Sequence, residues 1–368
     1  MKKLLMISTD RKIFEEGSDV RARQIENARG WDEVHIVVFA KRTGKKREEA
    51  PPREPASPPA GGGPAARPHR APQASLEGVP LSSSCFANST DSVSRFLYPS
   101  DAKRLGRELI EKHGITDITC QDASLTAMAG VALKERFKRR GLSLEIQVHE
   151  DLGSPNYGFT LMNRLRRRLA FRNLPKADHI RVVSERIKDF IVRRLAIDPA
   201  KIEVRPIAVD AGWLKDAPVI PGADLRMKHP QFDKIVLMVG RLEPEKDFEL
   251  AIDSWPLVLK ALPKAGLVIV GSGSRLEALK ERAEKVGAGD SIAFEGWGGN
   301  YLASYYKSCD LFLVTSLFEG YGMALKEAQA AGCRIVSTDV GIAREAGAEI
   351  VGWDPKSVAD GIVRTLRV

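Results

Sequence analysis

Short apolar runs alternate with longer amphipathic stretches along most of the chain, and the series occurs twice. This alternation is what a β-α-β succession writes into a sequence. A parallel strand is buried on both faces, and its crossover must be long enough to hold a helix. In the first half the pattern predicts strands at Leu4–Ser8, Val34–Phe39, Ile118–Cys120, Leu144–Val148 and His179–Val183. Helices are expected at Asp19–Arg29, Ser100–His113, Ser124–Arg140, Met162–Leu169 and Glu185–Leu195. The second half predicts strands at Ile235–Val239, Ala265–Val270, Ser291–Phe294, Leu311–Val314, Arg334–Thr338 and Ile350–Val351. Its helices are expected at Phe248–Leu262, Ser274–Val286, Tyr301–Ser308, Met323–Ala331 and Ser357–Leu366. A length of 368 residues suits two domains better than one. The expected division is 1–210 and 211–368, joined near Ile207–Pro230, with function in a cleft at the carboxyl ends of the strands.

Composition narrows the class. With 43% hydrophobic and 29% charged residues, either half holds enough apolar material for a core. A net charge of +9 favours anionic partners without choosing among them. Cys85, Cys120, Cys309 and Cys333 are scattered, with no C-x-x-C pair, which argues against a zinc site and a disulfide scaffold. The apolar start at Leu4–Ile7 runs into Thr9-Asp10-Arg11-Lys12, too short for a signal peptide, and a buried first strand is expected instead. No apolar stretch reaches the ~18 residues of a membrane span, so a cytoplasmic location is the expectation. Residues 50–72 hold eight of the 21 prolines, and a disordered excursion is expected over roughly 43–90.

Three stretches carry chemistry. In Phe318-Glu319-Gly320-Tyr321-Gly322-Met323-Ala324-Leu325-Lys326-Glu327-Ala328 a strand ends, a glycine turn follows and a helix opens near Gly322. Helix N-termini offer free amides and a positive dipole end to a phosphate or to clustered hydroxyls. Gly320 and Gly322 would let a ligand approach the backbone, and Glu319 and Glu327 could hold a sugar ring and a ribose. A plain strand-turn-helix is the other reading. Next, Arg241 and Lys246 lie at the carboxyl end of the first strand of the second half, where two cations could clamp a diphosphate or simply form a solvated loop. Last, Gly271-Ser272-Gly273 lacks the third glycine of a dinucleotide fingerprint, position 276 being Leu, and reads as a tight turn.

Taken in order, Val239–Lys246, Val268–Gly273, Phe294-Glu295-Gly296, Tyr305–Asp310, Glu319–Glu327, Ala331-Gly332-Cys333 and Asp339-Val340-Gly341 with Glu345 resemble glycosyltransferase family 4. The resemblance covers about residues 235–350 strongly and 1–40 and 96–210 more loosely. It implies a GT-B fold of two Rossmann-like parallel-sheet domains facing a central cleft. It further implies a retaining hexosyltransferase that moves a sugar from a nucleotide diphosphate, UDP or GDP most commonly, to a saccharide or lipid-linked hydroxyl acceptor, as in cell-envelope polysaccharide assembly. Glu319 and Glu327 match the family's Glu-seven-Glu motif, the first near the donor hexose and the second on the ribose. Arg241 and Lys246 match the pair on the diphosphate, and Gly320, Tyr321, Gly322 and Met323 the segment whose amides face sugar and phosphate. Trp297 falls where the base is contacted, Gly17 where paired glycines adjoin the donor phosphates, and His149 in the loop near the reacting centre, to orient the acceptor hydroxyl or touch the donor sugar.

Such chemistry implies no side-chain nucleophile, since the leaving phosphate takes the acceptor's proton, and no cofactor, the nucleotide-sugar being a substrate. No Asp-x-Asp motif occurs, so no metal is implied. Met162–Arg172 reads as a basic amphipathic helix, of the kind with which relatives using lipid-linked acceptors dock peripherally on anionic membrane, or as a solvated basic face. No groove-reading element accompanies the charge, so nucleic acid is not expected. Two features depart from the family. Ile207-Ala208-Val209-Asp210 stands where Asn-Gly-Val-Asp is usual, and the sequence ends soon after the helix expected over Ser357–Leu366, where members usually add a long returning helix. A sugar-nucleotide epimerase and a non-catalytic nucleotide-sugar or lipid-binding protein are the alternative readings.

Overall fold

The computed structural model describes residues 1–41, 78–208, 211–296 and 301–367. The chain packs as two compact units, residues 1–147 with 169–179 and residues 148–168 with 180–368.

The first unit is built on β1 (Lys3–Ser8), β2 (Glu33–Val38), β3 (Val79–Ser82), β4 (Cys85–Ser89), β5 (Asp117–Cys120) and β6 (Ser143–Val148), in the order β3-β4-β2-β1-β5-β6. All neighbours pair in parallel except β3 with β4. Helices α1 (Asp19–Asn27), α2 (Tyr98–His113) and α3 (Leu125–Arg136) supply the crossovers, and α4 (Leu161–Asn173), which follows β6, is divided, its residues up to Arg168 belonging to the second unit. Ser18 caps α1 by accepting from the Arg21 N–H, and α2 ends on Gly114 in the left-handed conformation. One face of the sheet buries Leu4, Met6, Val34, Ile36 and Val38 in a common cluster.

The disordered excursion expected over 43–90 is corrected for its last part. Residues 79–89 form the β3–β4 hairpin, and β4 adds in parallel to β2 from Val34↔Cys85 to Val38↔Ser89. Leu81, Cys85 and Ala87 complete the same core cluster, so three short apolar side chains at alternate positions are enough to hold the segment. Composition averaged over the proline-rich neighbourhood hid that alternation. Residues 43–77 of the expected excursion lie outside the described residues, as do Val209, Asp210 and Trp297.

The second unit carries β7 (His179–Val182) and β8 (Ile202–Val204), paired in parallel, with α5 (Glu185–Leu195) between them. Its main sheet joins β9 (Lys234–Val239), β10 (Ala265–Val270), β11 (Ile292–Glu295), β12 (Leu311–Val314), β13 (Ile335–Thr338) and β14 (Glu349–Val351). The order is β11-β10-β9-β12-β13-β14, parallel throughout. The helices are α6 (Ala211–Asp216), α7 (Leu225–Lys228), α8 (Phe248–Ala261), α9 (Leu276–Lys285), α10 (Leu302–Ser308), α11 (Met323–Ala330) and α12 (Pro355–Arg367). Every residue of β10 is buried, as a central parallel strand requires, and Trp255 of α8 is the largest fully buried side chain among the described residues. The strand order doubles back between β9 and β12, since β10 lies on one side of β9 and β12 on the other. Ligands of open α/β sheets bind beyond the strand ends at such a switch.

Candidate functional site

At the carboxyl ends of β9 and β12 lies a cavity of about 360 Å³, lined among others by His149, Arg241, Lys246, Glu319, Gly322 and Glu327. The loop after β9 is fastened to the loop after β12. Leu317 N–H donates to the Glu245 carbonyl (2.9 Å) and Thr315 Oγ1 to that of Asp247 (2.8 Å). These bonds set Lys246 beside Glu319, and Lys246 Nζ lies 2.5 Å from Glu319 Oε1. The same oxygen accepts from Ser316 Oγ at 2.8 Å. Ser316 is itself held, its carbonyl accepting from Thr338 Oγ1 (2.8 Å) and from Trp353 Nε1 (3.0 Å). The pair is mostly buried, with 22% of the Lys246 and 14% of the Glu319 side chain exposed. Arg241 is the opposite case, 71% exposed and joined to Glu245 Oε1 at 2.8 Å.

The turn from Glu319 into α11 explains both glycines, one differently from expectation. A Cβ on Gly320 would lie 1.6 Å from the carbonyl oxygen of His149, so the close approach that Gly320 permits is to protein backbone. Gly322 caps α11 with φ of +89°, where an L side chain is strained. The first residues of α11, Gly322, Met323 and Ala324, line the cavity, where a helix has amides without intrahelical partners. Tyr321 lines the cavity but is 8% exposed, and its carbonyl accepts from the Ile342 N–H.

Glu327 sits one turn further along α11 and accepts a hydrogen bond from Tyr306 OH at 2.9 Å. Burial pushes the Glu327 carboxyl pKa up, and the Tyr306 bond only partly offsets that. Burial and the facing carboxylate likewise push Tyr306 well above the usual phenol value. Neither Ser316 nor Tyr306 is among the sequence-predicted residues. Ser316, three positions before Glu319 at a strand's carboxyl end, had a readable local signal. Tyr306 falls in the Tyr305–Asp310 stretch of the resemblance, but nothing in the sequence ties it to Glu327, 21 residues away.

Of the predicted residues, the structure brings His149, Arg241, Lys246, Glu319, Gly320, Tyr321, Gly322, Met323 and Glu327 to this one cavity. Gly17 belongs to the first unit, in the turn before α1 with φ of +75°, and is not among the lining residues. The Gly271-Ser272-Gly273 turn is fastened to the Arg241 loop, Leu242 N–H donating to the Ser272 carbonyl at 2.9 Å, as a tight turn should be.

The first unit holds a second polar cluster. Glu33 Oε1 is 2.8 Å from His35 Nε2 and 2.7 Å from His113 Nδ1, and Lys3 Nζ is 2.5 Å from Glu33 Oε2. The three His and Glu ligand atoms lie within 4.8 Å of one another, the arrangement a metal ion would need, but the carboxylate is already shared among three donors. Burial works to raise the Glu33 pKa, and the bonds from Lys3, His35 and His113 outweigh it and bring it to about 2.

Comparison with known proteins bears on the family and the fold. Residues 226–353 match the family model of glycosyl transferases group 1. A D-inositol 3-phosphate glycosyltransferase of Segniliparus rotundus is 33% identical over 157 residues, 40% of this chain and 33% of its own length. The lipopolysaccharide core biosynthesis mannosyltransferase LpsB of Rhizobium meliloti is 31% identical over 169 residues, 39% of this chain and 48% of its own. The chain thus spans about a third to a half of the length of these curated relatives. Among solved structures, sucrose-phosphate synthase of Thermosynechococcus elongatus superposes with a TM-score of 0.70 at 18% identity, covering 100% of this chain and 90% of that one. Anabaena HepE in complex with UDP and glucose gives 0.64 at 16%, covering 99% and 89%. The fold is accordingly GT-B, two α/β units on largely parallel sheets, and residues 226–353 are similar to the group 1 glycosyl transferases.

Proposed function

We propose that the protein is a retaining family 4 glycosyltransferase that takes a hexose from a nucleoside diphosphate and passes it to a hydroxyl of a saccharide or lipid-linked acceptor. The observation that carries this reading is the convergence of Lys246, Glu319, Glu327 and the α11 N-terminus on one cavity. Lys246 and Arg241 take the diphosphate, with the α11 amides completing its shell. Glu327, already accepting from Tyr306, accepts a ribose hydroxyl with its remaining lone pairs. Glu319 accepts from hexose hydroxyls, and its bond to Ser316 keeps the carboxylate in place when Lys246 turns to the phosphate. As the glycosidic bond breaks, charge grows on the diphosphate and the cations stabilise it. The acceptor attacks from the same face, its proton passing to the departing phosphate, with His149 orienting the hydroxyl and no cofactor taking part. The UDP complexes of HepE support a uridine donor as the first to try.

The α4 surface supports peripheral membrane docking at the cytoplasmic face. Leu161, Met162 and Leu165 are exposed beside Arg164 and Arg168, and no helix among the described residues is long and apolar enough to cross a membrane. Incubating the protein with labelled UDP- and GDP-hexoses and an envelope lipid extract tests the reading. A glycosylated product whose anomeric carbon keeps the donor's configuration supports it. Release of an epimerised nucleotide-sugar, or an inverted product, refutes it.

A further inference from the structure

A second cavity, of about 420 Å³, lies in the same unit between the loop that precedes α4, the α4 N-terminus and the Phe318–Gly320 turn. It shares Arg241, Lys246, Glu319 and Gly320 with the donor cavity, so an occupant would sit directly beside the proposed sugar-holding carboxylate. Nearly every charge on its wall is already engaged. Arg241 pairs with Glu245, Lys246 with Glu319, and the Glu150 carboxylate accepts from Tyr157 OH.

Two polar groups are not engaged. Arg166, half-buried on the wall, makes no hydrogen bond or ion pair with any described residue. Asn163, one turn before it, is only 8% exposed. Its backbone N–H bonds to Thr160 Oγ1 at 3.0 Å, but its side-chain amide makes no hydrogen bond with any described residue. An amide that borders a cavity and makes no bond to the protein keeps its donors and acceptor for a ligand. Opposite stand Phe318 and Phe159, ring centroids 5.9 Å apart, with Tyr157 edge-on to Phe318 at 5.1 Å. An aromatic patch in a mostly polar wall suits a hydroxylated ring, which has an apolar face and polar edges.

We propose that this cavity holds the acceptor and that the acceptor carries a phosphate next to its hydroxylated ring, an inference that rests on the transferase reading above. Arg166 receives the phosphate through its planar fork, Asn163 a ring hydroxyl, and the Phe159–Phe318 wall the ring's apolar face. The carboxylates of Glu150, Glu245 and Glu319 balance Arg166, Arg241 and Lys246, so the cavity does not gather anions by net charge. It selects a phosphate by position, and the sharing of Lys246 and Glu319 puts the neighbouring ring beside the donor hexose.

Titration calorimetry on the whole chain, with and without UDP, tests this using hexose 1- and 6-phosphates, an inositol phosphate, the neutral parents, glucuronate and a short-chain prenyl-diphosphate sugar. The expected result is at least one phosphorylated ligand that binds about tenfold or more tightly than its neutral parent. Arg166→Ala removes that advantage, Asn163→Ala weakens phosphorylated and neutral forms alike, and UDP affinity stays the same in both variants. Whether the prenyl diphosphate or the soluble phosphates bind tighter identifies the source of the phosphate. The proposal is overturned if no phosphorylated ligand outbinds its parent, if the advantage survives Arg166→Ala, or if glucuronate matches it. Failure of the donor reading is distinguishable, because then neither UDP nor GDP binds the unaltered protein.

Discussion

Two clusters of half-buried ions, one in each unit, look alike at the level of single residues and differ in what surrounds them. Glu33 and Glu319 are each held by a lysine 2.5 Å away and by further donors. Glu33 sits at the amino ends of β1 and β2, where Lys3, His35 and His113 all bond to it and serve the fold. Glu319 sits at the carboxyl end of β12, facing a cavity that also holds a helix N-terminus and a second carboxylate. The difference teaches that a carboxylate gripped by cations is not by itself a site. The space in front of it, and which end of the sheet it stands on, decide.

Substitutions should separate the two clusters, beginning with the largest effect. Glu319→Ala should lower transfer at least a hundredfold in a donor-turnover assay, because a contact that strengthens as the glycosidic bond breaks is lost. Its cost to stability in urea should be modest, about 1–2 kcal/mol, since the Lys246 ammonium left behind still reaches water. Glu33→Gln should do the reverse, losing about 1–3 kcal/mol of stability with nucleotide affinity unchanged. Its pH signature follows from a folded pKa of about 2 against an ordinary value of 4.5. The folded state prefers the charged form, so this stability is present above about pH 4.5 and lost as pH falls toward 2. A wild-type acid-unfolding curve that Glu33→Gln leaves unmoved would break the comparison.

Glu327→Gln gives a smaller and opposite effect. Burial raises the Glu327 pKa, so the folded state prefers the neutral form, and stability declines as pH rises from 4.5 through the raised value. The amide should therefore leave stability at neutral pH equal or higher while weakening nucleotide binding about tenfold, read by thermal shift with and without UDP. The smallest structural effect belongs to Arg241→Ala. The exposed Arg241–Glu245 pair contributes less than about 0.5 kcal/mol to folding, so a fall in diphosphate affinity would come almost free of any stability change.

How much of this was legible in the sequence varies with the kind of interaction. The long parallel strands were readable, because burial on both faces leaves an unbroken apolar run such as Ala265–Val270. The β3–β4 hairpin was not, since its core contribution is three small side chains next to a proline-rich stretch. Within the site, Lys246, Glu319 and Glu327 stood out through their spacing in one strand-turn-helix and the loop facing it. Tyr306, Asn163 and Arg166 matter only through what lies across from them in space, which no spacing along the chain encodes. Gly320 shows a partial success: the need for a glycine was readable, but the carbonyl of His149 that requires it was not.

The central claim is that the cavity beyond β9 and β12 binds a nucleotide-sugar donor through Lys246 and Glu327. Calorimetric titration of UDP and GDP into the wild-type protein, Lys246→Ala and Glu327→Gln tests it most directly. The account predicts micromolar-class binding of one nucleotide, weakened about tenfold or more in each variant while Glu33→Gln binds like wild type. Equal binding in all four proteins, or none to the folded wild type, would contradict it.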